Sequence, residues 1–172
     1  MTNMKNQSII LSVMLGFCLS TTSNAQQFGK GWTFPVELAQ GIQTPNGYLG
    51  SLQFTPSITI VEKSLRFGAG IGTFFNGNKF DAYAGPRISL KLKGGFPIIS
   101  SADNATAFLF IEHFWGTNNY KLVGGGIGLE IFETIVLSVK THYNYELNNY
   151  FIQTGIGINL FTKKESNDPF RN

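Results

Sequence analysis

The sequence predicts an all-β fold, an eight-stranded antiparallel up-and-down transmembrane β-barrel, and three observations carry that expectation. The chain divides into eight segments in which apolar and polar residues alternate, the pattern of strands with one apolar face. Of its 172 residues, 42% are hydrophobic and only 13% charged, a thin complement for a soluble surface. Large aromatics on the apolar files fall near the segment ends, where a lipid-facing barrel needs them at headgroup level and a soluble core does not.

The segments follow in order. Trp32 to Ile42 sets Phe34, Val36 and Leu38 against Glu37. Tyr48 to Ile60 sets Leu52, Phe54, Ile58 and Ile60 against Gln53 and a run of Ser and Thr. Pro56 lies within it without an amide donor, which predicts a bulge or a local break in pairing. Leu65 to Phe75 carries Phe67, Ala69 and Ile71 opposite Arg66 and the file Gly68, Gly70, Gly72. Phe80 to Lys93 carries Ala82, Ala84, Ile88, Leu90 and Leu92 opposite Asp81, Arg87, Lys91 and Lys93. Thr106 to Trp115 sets Leu109 and Ile111 against Glu112, and Tyr120 to Phe132 sets Val123, Ile127, Leu129 and Ile131 against Glu130 and the file Gly124, Gly126, Gly128. Thr134 to Tyr145 sets Ile135, Leu137 and Val139 against Lys140 and His142. Tyr150 to Phe161 sets Ile152, Ile156, Ile158 and Leu160 against Gln153, Asn159 and the pair Gly155 and Gly157. Between segments stand the turn formers Pro45-Asn46-Gly47, Asn76-Gly77-Asn78, Gly94-Gly95, Asn118-Asn119 and Asn148-Asn149. The lengths suit strands that cross a hydrocarbon core at a tilt.

Alternation alone does not say which face meets lipid. The polar face collects four acids and five bases, a near balance that a closed, side-chain-filled lumen requires because buried charges must be paired. Tyr48, Phe75, Phe80, Trp115, Tyr143, Tyr145 and Tyr150 share the apolar parity at one rim, and Trp32, Phe34 and Phe67 share it at the other. The apolar face is therefore assigned outward. A soluble periplasmic barrel of lipocalin type, binding an apolar ligand, is the alternative in which the faces reverse. The glycine files predict room for inward Phe74, Tyr83, Phe108, Phe110, Phe114 and Tyr120 rather than a ligand cavity.

The N-terminus combines Lys5, the apolar run Ile9 to Leu19 and Ser23-Asn24-Ala25, a cleavable secretory signal over residues 1–25. The barrel is then expected over 26–161 and a polar C-terminal tail over 162–172. Cys18, the one cysteine, sits inside the signal, so the mature chain is expected to lack disulfides and thiolate metal sites. A net charge of +3 with no basic run gives no footprint for nucleic acid.

With the signal, the eight amphipathic segments and the final stretch YFIQTGIGINLF (Tyr150 to Phe161), the chain resembles the small outer-membrane β-barrel domain proteins of Gram-negative bacteria, in the porin-like superfamily. The resemblance implies the cell outer membrane as location. It also implies outer-membrane lipids, lipopolysaccharide among them, and the barrel assembly machinery as partners. The stretch FIEHFWGTNN (Phe110 to Asn119) resembles the outer-membrane lipid A deacylases, whose histidine is followed two residues later by a serine. Here His113 is followed by Trp115 in that place, which leaves the histidine no hydroxyl to activate. His142 is expected inside the lumen near Lys140, without the spacing of a metal motif. The sequence thus assigns no catalytic, cofactor-binding or metal residue and no cofactor. It predicts a non-enzymatic barrel with a structural or binding role, a deacylase-like enzyme built on His113 being the alternative.

Overall fold

The computed structural model describes residues 31–45, 47–61, 64–77, 79–97 and 103–162. The signal assigned to 1–25, Cys18 within it, and the tail after Thr162 lie outside the described residues. The alternating segments form β1 (Trp32–Gln43), β2 (Tyr48–Phe54), β3 (Ser57–Val61), β4 (Leu65–Asn76), β5 (Lys79–Pro97), β6 (Asp103–Gly116), β7 (Lys121–Ile131), β8 (Ile135–Asn144) and β9 (Asn149–Thr162). All pairings are antiparallel, and β9 returns to β1 from Gln43↔Phe151 to Thr33↔Thr162, which closes the sheet. β2 and β3 are halves of one strand, each paired with β1 on one side and β4 on the other, so the barrel has eight strands.

The interruption falls at Thr55 and Pro56, as the missing amide donor predicts. Thr55 N donates to Pro35 O at 2.9 Å, and Ala69 N donates to Pro56 O at 3.1 Å, so the break stays within one sheet. The described turn residues 44–45, 47, 77, 117–120 and 145–148 gather at one end, here the distal rim. Asn118, Asn119 and Asn148 hold φ of 53°, 63° and 52°, the left-handed conformation that asparagine tolerates in tight turns. The ends of the described chain, the strand ends Val61, Leu65, Pro97 and Asp103, and the turn 132–134 lie at the proximal rim. There β5 and β6 run beyond their predicted ends and stay paired to Pro97↔Asp103. An irregularity between Lys91 and Lys93 sets Lys93 opposite Ala107, of the outward file, so strict alternation with Lys91 stops at this point. The side chain of Lys93 lies outside those described. β9 also runs one residue past the predicted barrel end, because Thr162 still pairs with Thr33.

The faces sort as the alternation predicts. Leu38, Leu52, Ile71, Ile111, Ile127, Val139, Ile152 and Ile156 are exposed on the outer surface, while Glu37, Gln53, Arg66, Asp81, Arg87, Glu112, Glu130, Lys140 and His142 are buried inside. A soluble barrel binding an apolar ligand would require the reverse. Trp115, Tyr145 and Tyr150 are exposed toward the distal rim and Trp32 toward the proximal rim, with Trp32 stacked on Phe34 and Phe34 on Phe54.

Glycines make room for the filling. A Cβ on Gly70 would stand 2.7 Å from Phe114 Cε1 and 2.9 Å from Gln53 Nε2, and one on Gly155 would stand 2.6 Å from Glu37 Oε1. Gly70→Val is therefore expected to destabilise the barrel by about 1–3 kcal/mol through overpacking. Urea titration in lipid vesicles measures this, and Gly70→Val/Phe114→Leu should recover part of the loss. An unchanged midpoint for Gly70→Val would mean that the space beside it is open.

Candidate functional site

Two places concentrate polar chemistry: the lumen, and the distal rim around His113. In the lumen, inward parity brings charges of opposite sign together, across the neighbouring strands β5 and β6 for Arg87 and Glu112 and across nonadjacent strands for the others. Lys140 Nζ lies 2.6 Å from Glu37 Oε1 and donates to Gln53 Oε1 at 3.0 Å. Gln53 Nε2 donates to Thr55 Oγ1 at 3.1 Å and to Glu112 Oε2 at 3.3 Å, and Tyr83 Oη donates to Gln53 Oε1 at 3.2 Å. Glu112 also receives Arg87 Nη1 at 3.5 Å and His142 Nε2 at 2.7 Å. Facing a carboxylate, that imidazole nitrogen carries the proton.

Aromatic rings and a further ion pair flank this layer. On its proximal side, Arg66 Nη1 meets Glu130 Oε2 at 2.6 Å, and the Arg87 guanidinium lies 3.8 Å over the Phe110 ring. On its distal side, Leu49, Phe74, Tyr83, Phe114, Tyr120, Leu122 and Phe151 form one buried cluster. Asp81, toward the distal rim, accepts from Thr117 Oγ1 at 3.4 Å and from Asn118 Nδ2. A cavity of about 30 Å³ remains beside Glu37, Arg66, Arg87 and Glu130. That is room for water but not for a larger ligand. The arrangement holds charges at fixed positions around a space of that size.

His113 lies on the outer surface at the distal end of β6, half-buried. Its Nε2 is 3.2 Å from Tyr145 Oη, and its ring meets Trp115 edge-on with centroids 4.4 Å apart. Nearby, Lys121 Nζ pairs with Glu146 Oε1 at 2.6 Å, and Tyr143 Oη donates to Asn148 Oδ1 at 2.9 Å. The hydroxyl that reaches His113 is therefore a phenol. Among the described residues Ser51, Ser89 and Ser138 are buried, Ser57 bonds Thr33 inside the barrel, and Ser64 lies at the opposite rim.

The two histidines stand on the faces that parity predicts, His113 outside and His142 inside. Sequence reasoning placed His142 near Lys140 and missed its bond to Glu112, because that contact depends on how far apart β6 and β8 sit once β7 separates them. The available signal was the shared level: Glu112 pairs with Gly124 and Gly124 with His142, so the carboxylate and the imidazole flank one glycine. The Tyr145 partner of His113 was missed because parity puts both side chains outside at one rim but does not give the level at which β6 and β8 stand across β7.

No protein-family model and no curated protein sequence matches the chain. Among solved structures the fold is similar to transmembrane barrels. One is a de novo designed transmembrane β-barrel, 14% identical, covering 78% of this chain and 100% of that chain with a TM-score of 0.52. The solution NMR structure of the designed barrel TMB2.3 is 17% identical, covering 80% of this chain and 100% of that one at 0.51. The outer membrane enzyme PagL is 12% identical, covering 72% of this chain and 98% of that one at 0.52. At such identities the likeness is one of fold.

Proposed function

We propose that the protein is an outer-membrane barrel with a side-chain-filled lumen, exported by a cleaved signal, whose role is structural or binding and is exercised at its outer surface and rims. The observation that carries this reading is the combination of an apolar belt outside with a charge-paired, aromatic-capped interior. An eight-stranded barrel is just wide enough for side chains to fill, and charges without paired partners would not be stable there. Fractionation with outer membranes and a gel mobility that changes on boiling are the expected results. Recovery from the soluble periplasmic fraction would overturn the reading. Reconstituted in planar bilayers, the protein is expected to give no steady ion conductance, and reproducible single-channel steps would show that the lumen is not closed.

A second reading, a lipid-modifying enzyme of deacylase type, is supported by the His113–Tyr145 contact at 3.2 Å and by the fold likeness to PagL. A phenol is a poor stand-in for a serine nucleophile activated by histidine. Release of fatty acid from lipid A, lost in His113→Ala and in Tyr145→Phe, would establish this second reading in place of the first.

A further inference from the structure

A groove of about 540 Å³ indents the outer surface on the far side of the barrel from His113, between Leu38, Gln40, Tyr48, Phe75, Thr154 and Ile156, with the backbone of Ala39 and Gly155 as its floor. Its shape follows from the sequence. Gln40 pairs with Gly50 on β2 and with Thr154 on β9. Gly50 leaves a gap in the belt, and the Phe75 ring lies in the space where a Cβ would be. On these three strands every other outward position is apolar or aromatic, from Trp32 to Ile42, Tyr48 to Phe54 and Tyr150 to Leu160.

Gln40 and Thr154 break that belt together, at one level. Both side chains are exposed, and neither hydrogen-bonds any described residue. The pair stands two residues below Ile42, which pairs with Tyr48 at the rim. With a strand rise of about 3.3 Å and the usual barrel tilt, that is roughly 5 Å beneath the aromatic level. An unpartnered amide and hydroxyl facing hydrocarbon are costly unless a polar group meets them. Apolar walls below, aromatic rings above and two hydrogen-bonding groups between match a molecule with the same sequence of parts.

We infer that this groove seats one acyl chain of a membrane lipid, with the ester carbonyl of that chain held by Gln40 and Thr154. The inference rests on the membrane location proposed above. A second copy of this chain fits less well, because a two-fold contact centred here would set groove against groove and leave a void.

Native mass spectrometry of the full chain refolded into dodecylmaltoside micelles tests it, with palmitoyl-oleoyl-phosphatidylethanolamine or its diether analogue added. Wild type is expected to retain one ester lipid and to retain the diether about tenfold less, the effect of one lost hydrogen bond. Gln40→Leu should erase the difference between ester and ether. Thr154→Phe, which fills the groove, should strip the lipid, and Ile127→Ala on the opposite face should keep it. Equal retention of ester and ether by wild type, or retention unchanged in Thr154→Phe, overturns the inference while the membrane reading stands. A wild-type dimer that dissociates in Thr154→Phe overturns it in favour of a second copy. Wild type that folds without detergent removes the membrane reading and this inference together.

Discussion

Lys140→Met is expected to lower the stability of the vesicle-embedded barrel by about 3–5 kcal/mol, because it removes one partner of a buried pair and leaves the Glu37 carboxylate without its hydrogen-bonded cation. The side chains of Lys140 and Glu37 are 1% and 5% exposed, so solvent screening does little for the survivor. Methionine keeps most of the volume, which confines the loss to the charge and its hydrogen bonds. Gln53 loses the ammonium from its Oε1 but keeps the Tyr83 hydroxyl donor. Urea titration in lipid vesicles measures the effect. The double variant Glu37→Leu/Lys140→Met should recover most of it, since well-packed apolar replacements of a buried pair are often neutral or better. A double variant as unstable as the single one would show that packing, and not the unpaired carboxylate, sets the loss.

Ile127→Arg is expected to cost about 2–4 kcal/mol in the same assay, and Ile58→Arg only about 0–1 kcal/mol. Both side chains carry outward parity, but they differ in depth. Ile127 lies mid-strand in β7 between Leu109 and Val139 and is 56% exposed. Ile58 pairs with Trp32 near the proximal rim, where an arginine can reach the headgroups. Equal costs at the two positions would contradict a bilayer centred on the apolar belt.

Much of this architecture is legible in the sequence because a two-residue period is a strong signal when it recurs eight times. Leu38 against Glu37, Ile71 against Gly70 and Val139 against Lys140 each fix a face without knowledge of the partner strand. Pro56 marked its own break, since a missing amide acts locally. What the sequence did not disclose depends on register. Nothing in the spacing of Arg66 and Glu130, or of Glu37 and Lys140, announces that they meet, because strand tilt and stagger decide which inward residues share a level. The extension of β5 to Pro97 was obscured by Gly94 and Gly95, which read as a turn yet are accommodated at irregularities within the β5–β6 ladder. The outer groove was invisible for a related reason: Gln40 and Thr154 look like isolated exceptions until the closing seam brings β1 beside β9.

The lumen ion pairs also govern the order of assembly. Glu37 and Lys140 are 103 residues apart in the chain, Arg66 and Glu130 are 64 apart, and Glu112 and His142 are 30 apart. None of these three pairs joins strands that neighbour each other in the sheet, whereas Arg87 and Glu112 face each other directly across β5 and β6, so an open, growing ribbon already holds that pair and keeps Glu37 and Lys140 apart. A half-built sheet in hydrocarbon would hold the Glu37 carboxylate and the Lys140 ammonium apart on one face. Glu37 meets Lys140 only when β1 pairs with β9 and the ribbon becomes a ring. Ring closure thus converts the separated charges of Glu37 and Lys140 into a contact, which adds to the cooperativity of that step.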